Sequence, residues 1–225
     1  MTTRFRDRTE AGQQLAQQLK TYANRPAVVL ALPRGGVPIA YEIAQELNLP
    51  LDLCLVRKLG EPGHRENAIG AIAADGIRVL NYRVIRGLGI SQQTLQTITA
   101  QEQQELERRD RAYRSHCPRV AVHDRTVILV DDGLATGATM RAAVMWVRSQ
   151  QPNLLIIAVP IASKVAYQQL KAQVDRLVCL YIPNQLYAIG RWYDNFTQVT
   201  DRQVCTLLAG HSPSSHRENI KEATA

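Results

Sequence analysis

Runs of consecutive apolar, largely β-branched residues alternate along this chain with segments whose apolar positions recur at helical spacing. Segments 27–32, 127–130, 154–161 and 177–182 are continuous apolar runs, and 51–56 is apolar except for Asp52. Such runs read as strands buried on both faces of a parallel sheet. Between them, residues 9–19 carry Ala11, Leu15, Ala16 and Leu19 on one helical face, and 37–47, 139–150, 165–170 and 200–208 continue the helical pattern. Strands alternating with helices predict an α/β fold: a mostly parallel central sheet flanked by helices.

Other segments break this alternation. Residues 68–73 and 77–80 flank the turn Asp75-Gly76 and read as a hairpin. Residues 91–114 predict a long polar helix with Leu95, Ile98 and Leu106 as its apolar stripe. That stripe is too thin for a coiled coil, so the helix is expected to pack on the outside of the core and to carry little chemistry. Segment 59–67, Leu-Gly-Glu-Pro-Gly-His-Arg-Glu-Asn, is rich in glycine, proline and charge and reads as a mobile loop able to close over a site. One domain over 1–210 is expected, with its core at 26–183 and a small hood from the N-terminal segment and 184–210. Residues 211–225 read as a polar, disordered tail.

Composition narrows the functional classes. With 225 residues, of which 45% are hydrophobic, the chain can bury one substantial core. The net charge of +7 concentrates anions and suits phosphorylated substrates. It would also tolerate nucleic acid, but no helix-turn-helix, zinc-finger or aromatic-basic pattern is present, and aromatics at 5% are too sparse for a stacking platform. Cys54, Cys117, Cys179 and Cys205 are widely spaced, and Cys54 and Cys179 sit in apolar strand patterns. Free thiols in a reducing cytoplasm are therefore expected. The first ten residues are polar and no run reaches membrane-spanning length, so neither a signal peptide nor a membrane segment is predicted.

The chemistry concentrates in 127–140. A buried strand ends on two adjacent carboxylates, Asp131 and Asp132, followed by Gly133-Leu134-Ala135-Thr136-Gly137-Ala138-Thr139 and a helix. Glycines let a backbone approach an anion, successive N–H groups form an anion nest, and a helix N-terminus adds its dipole. Thr136 and Thr139 offer hydroxyl donors. The two acids would repel a phosphate placed on them, so they must serve sugar hydroxyls or a hard cation. A second strand-loop-helix unit, with Pro33-Arg34-Gly35-Gly36 as its loop, is also laid out for an anion. No Gly-Lys-Ser/Thr occurs, which excludes a P-loop. The acids precede the glycines, whereas a dinucleotide fingerprint places its acid about twenty residues after them.

The stretch from Val127 to Thr139 resembles the signature of the type I phosphoribosyltransferases, which bind 5-phosphoribosyl 1-pyrophosphate (PRPP). The resemblance extends over residues 26 to 195. It implies the fold of that family with its hood. It also implies transfer of ribose 5-phosphate to a nitrogenous base with loss of pyrophosphate. Asp131 and Asp132 would contact the ribose, and residues 133–139 would hold the 5-phosphate. Arg34, Gly35, Gly36 and Lys58, with Arg57 beside it, would complete the pyrophosphate site. Magnesium would arrive through PRPP, either with no direct protein ligand or with Asp131 and Asp132 contacting it, and a homodimer is expected. Trp192 or Tyr193, in the segment after the last core strand, could stack on the base or simply close the domain. Where members acting on 6-oxopurines carry an acid, this chain has Ala135. That makes the loop more like that of adenine-specific members, although the hood shows no adenine pattern. Glu61 or Glu66 offers an alternative base. The rival reading is a PRPP- or nucleotide-sensing module without catalysis. Most such modules carry an additional nucleic-acid-binding element, and no pattern for one is found in this sequence.

Overall fold

The computed structural model describes residues 4–73, 76–114 and 119–211. In chain order its elements are α1 (Arg8–Gln18), β1 (Ala27–Ala31), α2 (Gly36–Leu47), β2 (Leu51–Leu53), β3 (Val56–Glu61), β4 (His64–Ala73), β5 (Arg78–Leu80), α3 (Tyr82–Gly87), α4 (Gln92–Arg114), β6 (Thr126–Val130), α5 (Ala138–Ser149), β7 (Leu154–Ile161), α6 (Lys164–Lys171), β8 (Arg176–Tyr181) and α7 (Asp201–Ala209). Two short 3₁₀ turns, Lys20–Tyr22 and Ile189–Trp192, complete the described set.

The continuous apolar runs become five parallel strands in the order β2-β1-β6-β7-β8. Successive side chains of a strand point to opposite faces, and the strands at the middle of the sheet, β1, β6 and β7, are almost wholly apolar because both faces are covered. Val28 and Leu30 of β1 with Val127 and Leu129 of β6 pack in one cluster with Met140, Ala143 and Val147 of α5. Val29 and Ala31, with Ile128 and Val130, pack in the other with Leu15 of α1 and Ile43 of α2. From β1 the chain winds through α2 to β2 on one side, and from β6 through α5 and α6 to β7 and β8 on the other. The winding therefore reverses between β1 and β6, and the crevice beyond their C-terminal ends is the switch point where open α/β sheets bind ligands.

A second, antiparallel sheet, β3-β4-β5, corrects two expectations. The apolar run 51–56 is not one strand: β2 ends at Leu53, and Val56 opens β3. Segment 59–67 is not an irregular loop. Its residues continue β3 into β4 as a hairpin, with Pro62 and Gly63 at the tip and Gly63 at φ 81°. Leu59 and Ile69, both fully buried, fix the hairpin to the core, so glycine and proline here mark a tight turn. The second hairpin is as expected, with β4 antiparallel to β5. Its turn residue Asp75 lies outside the described residues.

Helix α4 buries Leu95, Leu106 and Tyr113, with Ile98 partly covered. Cys54 is buried, and Cys179 and Cys205 are half-buried free thiols. Burial pushes the Cys179 thiol up to about 12. Cys117 and the tail 212–225 lie outside the described residues. His211, expected in that tail, instead belongs to the fold: its ring nitrogen lies 2.6 Å from the Leu49 carbonyl and its ring meets Tyr41 edge-on. Among the described residues no helix is long and apolar enough to cross a membrane.

One buried carboxylate fastens the sheet edge. Asp52 of β2 is 5% exposed and accepts from its neighbour Leu53 N at 2.6 Å and from Val120 N at 2.8 Å. Asp52→Ala would remove the buried acceptor of both bonds, and urea unfolding is expected to show a loss of about 1–3 kcal/mol. An unchanged midpoint would mean that segment 119–122 is held by other contacts.

Candidate functional site

The two sequence motifs, about a hundred residues apart, are brought together by the pairing of β1 with β6, in which Ala31 lies opposite Val130. Leu32 N donates to Val130 O at 2.9 Å and extends the pairing one residue into the loop. The following peptide, Pro33-Arg34, is cis. Gly35 and Gly36 then run directly against the acid loop. A Cβ on Gly35 would lie 2.0 Å from Asp132 Oδ2, and one on Gly36 would lie 2.6 Å from the Val130 carbonyl. Proximity to backbone requires glycine at 36, whereas a side chain at 35 would have to displace the Asp132 carboxylate.

Asp131 and Asp132 stand at the end of β6, both half-buried. Asp132 N donates to Asp131 Oδ1 at 2.8 Å. Burial, and then the neighbouring charge of Asp132, push the Asp131 carboxyl well above the usual carboxylate range. Asp132 is held by a residue that the sequence does not announce. Arg8, on the first turn of α1, reaches its Oδ2 with Nη2 at 2.8 Å and Nε at 3.1 Å. The Arg8 guanidinium also donates to Thr197 O at 2.9 Å and lies 3.9 Å from the Phe196 ring centre.

After the acids, Gly133 passes beneath the hood. A Cβ there would lie 2.6 Å from Ile189. Leu134 bonds into the end of β7, its N–H donating to Ile161 O at 2.8 Å and its carbonyl accepting from Ser163 N at 2.8 Å. Ser163 Oγ donates to Ala135 O at 2.7 Å, and Arg141 Nη1 donates to Thr136 O at 2.9 Å. Gly137, at φ 70°, turns the chain into α5. The first intrahelical bond runs from Arg141 N to Gly137 O, so the N–H groups of the first helical turn have no carbonyl four residues back. Ala135, Thr136 and Thr139 are exposed at this mouth. The carbonyls of Leu134, Ala135 and Thr136 are tied back, and of the N–H groups Leu134 donates to Ile161 O while Ala138 donates to Thr136 Oγ1 at 3.3 Å. The glycine-spaced backbone and the helix start are the features suited to an anion. Ser163 and Arg141 were missed at the sequence level. Ser163 could have been suspected, because it follows a third strand end and caps a helix.

The candidate pyrophosphate residues are only partly assembled. Arg34 points to α7 and meets Asp201 at 3.5 Å, and Asp201 also accepts from Tyr113 Oη at 2.6 Å. The bond from Tyr113, with the charge of Arg34, holds the Asp201 carboxyl below its ordinary value against burial, and burial pushes Tyr113 up to about 12. Lys58 lies within strand β3, whereas the sequence reading had it at the base of a loop following a parallel strand. It lines a cleft of about 590 Å³ bordered by Pro33, Gly60, Glu61, Thr139 and residues of α4. Arg57 borders the same cleft and pairs with Glu102 of α4 at 2.5 Å. Helix α4 packs on the core as expected and also walls this cleft with Thr97, Gln101 and Glu102. The side chain of Glu66 lies outside the described residues.

Tyr193 does not offer a stacking face. It is 2% exposed, its ring is flanked by Phe5 and Phe196, and its hydroxyl donates to the Asp132 carbonyl at 2.8 Å. Burial drives its hydroxyl pKa far up. Trp192 is half-buried and stacks on Tyr181. These aromatics close the domain. Residues 5–6 pair with 192–195 through Phe5 N to Trp192 O, Asp194 N to Phe5 O and Asn195 N to Arg6 O. The N-terminal segment and the segment after β8 therefore form one cover over the acid pair.

Among the described residues no cluster of three or more His, Cys, Asp or Glu forms a metal cage. The donor set is two carboxylates, one of them committed to Arg8. That set fits a magnesium ion arriving with phosphate oxygens of its own, since magnesium is commonly held by one or two carboxylates plus substrate phosphates.

A family model described as "Phosphoribosyl transferase domain" matches residues 6–190. A provisionally named phosphoribosyl transferase of Mycobacterium tuberculosis, found in strains H37Rv and CDC 1551, is 42% identical over 204 residues. That match covers 91% of this chain and 46% of the relative, so the chain spans about half the length of the curated relatives it matches. The crystal structure of a protein from Thermus thermophilus superposes with a TM-score of 0.87 at 41% identity, covering 93% of this chain and 99% of that one.

The contact of Gly36 with backbone makes a sharp prediction. Gly36→Ala must displace the end of β6, and overpacking of this kind costs about 1–3 kcal/mol. Denaturant unfolding of Gly36→Ala is expected to show that loss. A variant as stable as the parent would mean that the two loops are further apart in solution.

Proposed function

Since the chain belongs to the phosphoribosyl transferase family and has the type I fold of that family, we propose that it transfers ribose 5-phosphate from PRPP to a nitrogenous nucleophile and releases pyrophosphate. The observation that carries this reading is the meeting of the acid pair and its anion loop with Gly35 and Gly36 at the switch point. One end of the crevice offers backbone donors and a helix N-terminus to a phosphate, the middle offers carboxylates to a diol, and the other end offers a bare backbone beside cations.

In this proposal the 5-phosphate rests on residues 133–139. The ribose hydroxyls meet Asp131 and Asp132. The pyrophosphate lies along Arg34, Gly35 and Gly36, with Lys58 and Arg57 reaching it from the hairpin. The bond between ribose C1 and the pyrophosphate oxygen breaks, and its electron pair leaves with pyrophosphate. The nucleophile's nitrogen forms the new bond to C1 and gives up its proton. Positive charge builds on the ribose as the leaving group departs, and the carboxylates favour it electrostatically. Magnesium, held by Asp131 with the substrate's phosphates, would supply charge neutralisation at the leaving group. Ala135 supplies no proton acceptor, so removing the nucleophile's proton falls to the nucleophile itself, solvent or Glu61 at the cleft edge. Positioning accounts for much of the rate. Free thiols support a cytoplasmic setting.

Pyrophosphate release from PRPP, assayed against purines, pyrimidines and simple amines, tests the reading. Acceptor-dependent release supports it; binding without release under any acceptor would leave a PRPP sensor instead. Asp131→Asn is expected to lower turnover about 100-fold, the size of one lost preorganised electrostatic contact of roughly 3 kcal/mol. Unchanged turnover would remove Asp131 from the chemistry. Lys58→Ala is expected to reduce kcat more than it raises KM, because a contact that strengthens as charge develops acts on the transition state. Equal kcat in parent and variant would contradict the assignment.

A further inference from the structure

The Arg8 guanidinium is 124 residues from Asp132 in sequence and makes two contacts to one of its oxygens. The arrangement is over-determined for a salt bridge alone. Arg8 is 9% exposed, although arginine is almost never fully buried unless paired. Its plane lies against Phe196, and its third donor goes to Thr197 O. Asp7 caps α1 one residue earlier by accepting from Glu10 N at 2.9 Å, which fixes the helix start from which Arg8 projects. Both Arg8 contacts go to Oδ2, and Gly35 closes against the same oxygen. Among the described residues no donor reaches Asp132 Oδ1, so this oxygen is left for the crevice.

We propose that Arg8 is a positioning residue for the ribose subsite: it grips Asp132 by Oδ2, fixes the carboxylate rotamer, and so presents Oδ1 to the sugar hydroxyls. The inference rests on the PRPP reading above. It adds that the hood takes part in ligand recognition through this ion pair. Residues 196 and 197 lie on the far side of the guanidinium, so the cover over the site and the acid within it share one cation. A planar fork is needed for the grip. Lysine would keep the charge but lose both the paired donors and the stacking on Phe196.

Calorimetric titration with two probes, magnesium PRPP and magnesium pyrophosphate, separates positioning from mere structural support, because only PRPP carries a ribose. The parent is expected to bind both. Arg8→Gln is expected to weaken PRPP about tenfold, the value of one misaligned charge-assisted hydrogen bond, and to leave pyrophosphate within about twofold. Arg8→Lys should behave as Arg8→Gln. If Arg8→Gln weakens both probes equally, the residue supports the fold and the inference fails. If Arg8→Lys restores parental PRPP affinity, charge alone suffices and the positioning role fails. Should the Arg8 variants not fold, Phe196→Leu carries the test: it removes the stacking face while keeping the ion pair. It is expected to weaken PRPP severalfold without affecting pyrophosphate, and parental affinity for PRPP would overturn the inference. A parent that binds pyrophosphate but not PRPP, or neither, would overturn the ribose reading itself and this inference with it.

Discussion

The site depends on one steric constraint, the closeness of the β1 and β6 strand ends. These strands are neighbours in the sheet, and their loops leave it at the same level. The space between Gly36 and the Val130 carbonyl, and between Gly35 and Asp132, is smaller than a methyl group. A side chain at 36 would force the loops apart and one at 35 would push the Asp132 carboxylate out of place, so an anion would find two half-sites in place of one crevice. Close approach also sets the electrostatics. It buries the acid pair enough to raise the Asp131 pKa, and it leaves Asp132 in need of the counter-charge that Arg8 supplies.

That counter-charge explains why the N-terminal helix belongs to the site. Truncating one partner of a largely buried pair leaves an uncompensated charge, which is strongly destabilising. A helix cap, an aromatic ring and a backbone carbonyl together keep the Arg8 guanidinium in place. The same hood brings Tyr193 beneath Asp132, donating to its carbonyl, so the acid is held from both its side chain and its backbone.

Much of this was legible in the sequence because it is local. A continuous apolar run, a carboxylate pair and a glycine-spaced loop each have one dominant physical meaning, and together they located β6, the acid pair and α5 to within a residue or two. The α/β alternation gave a mostly parallel sheet but not the order of its strands, and only the resemblance to the phosphoribosyltransferases put the two loops in one site. The pairing of β1 with β6 supplies the reason they meet. Non-local pairing was not legible. Arg8 sits in a polar segment with nothing to distinguish it from Arg4 or Arg6, and only the folded hood selects it. The hairpin was misread because Pro62 and Gly63 are equally suited to a tight turn and to an irregular loop, while the fully buried Leu59 and Ile69 that anchor it are inconspicuous in sequence. Tyr193 was considered as a stacking surface because exposure cannot be read from residue type. The cleft-lining residues of α4 were not legible either: its polar residues suggested solvent, yet several of them border the cleft beside Lys58.

The central claim is that one crevice, between the loops after β1 and β6, receives both ends of a phosphorylated ribose. A crystal structure of the protein soaked with magnesium PRPP tests it most directly. The account predicts the 5-phosphate against the N–H groups of residues 135–139, the ribose over Asp131 and Asp132, and the pyrophosphate beside Gly35 and Gly36. Density for PRPP elsewhere on the surface, or with its two phosphate ends reversed between the loops, would contradict it.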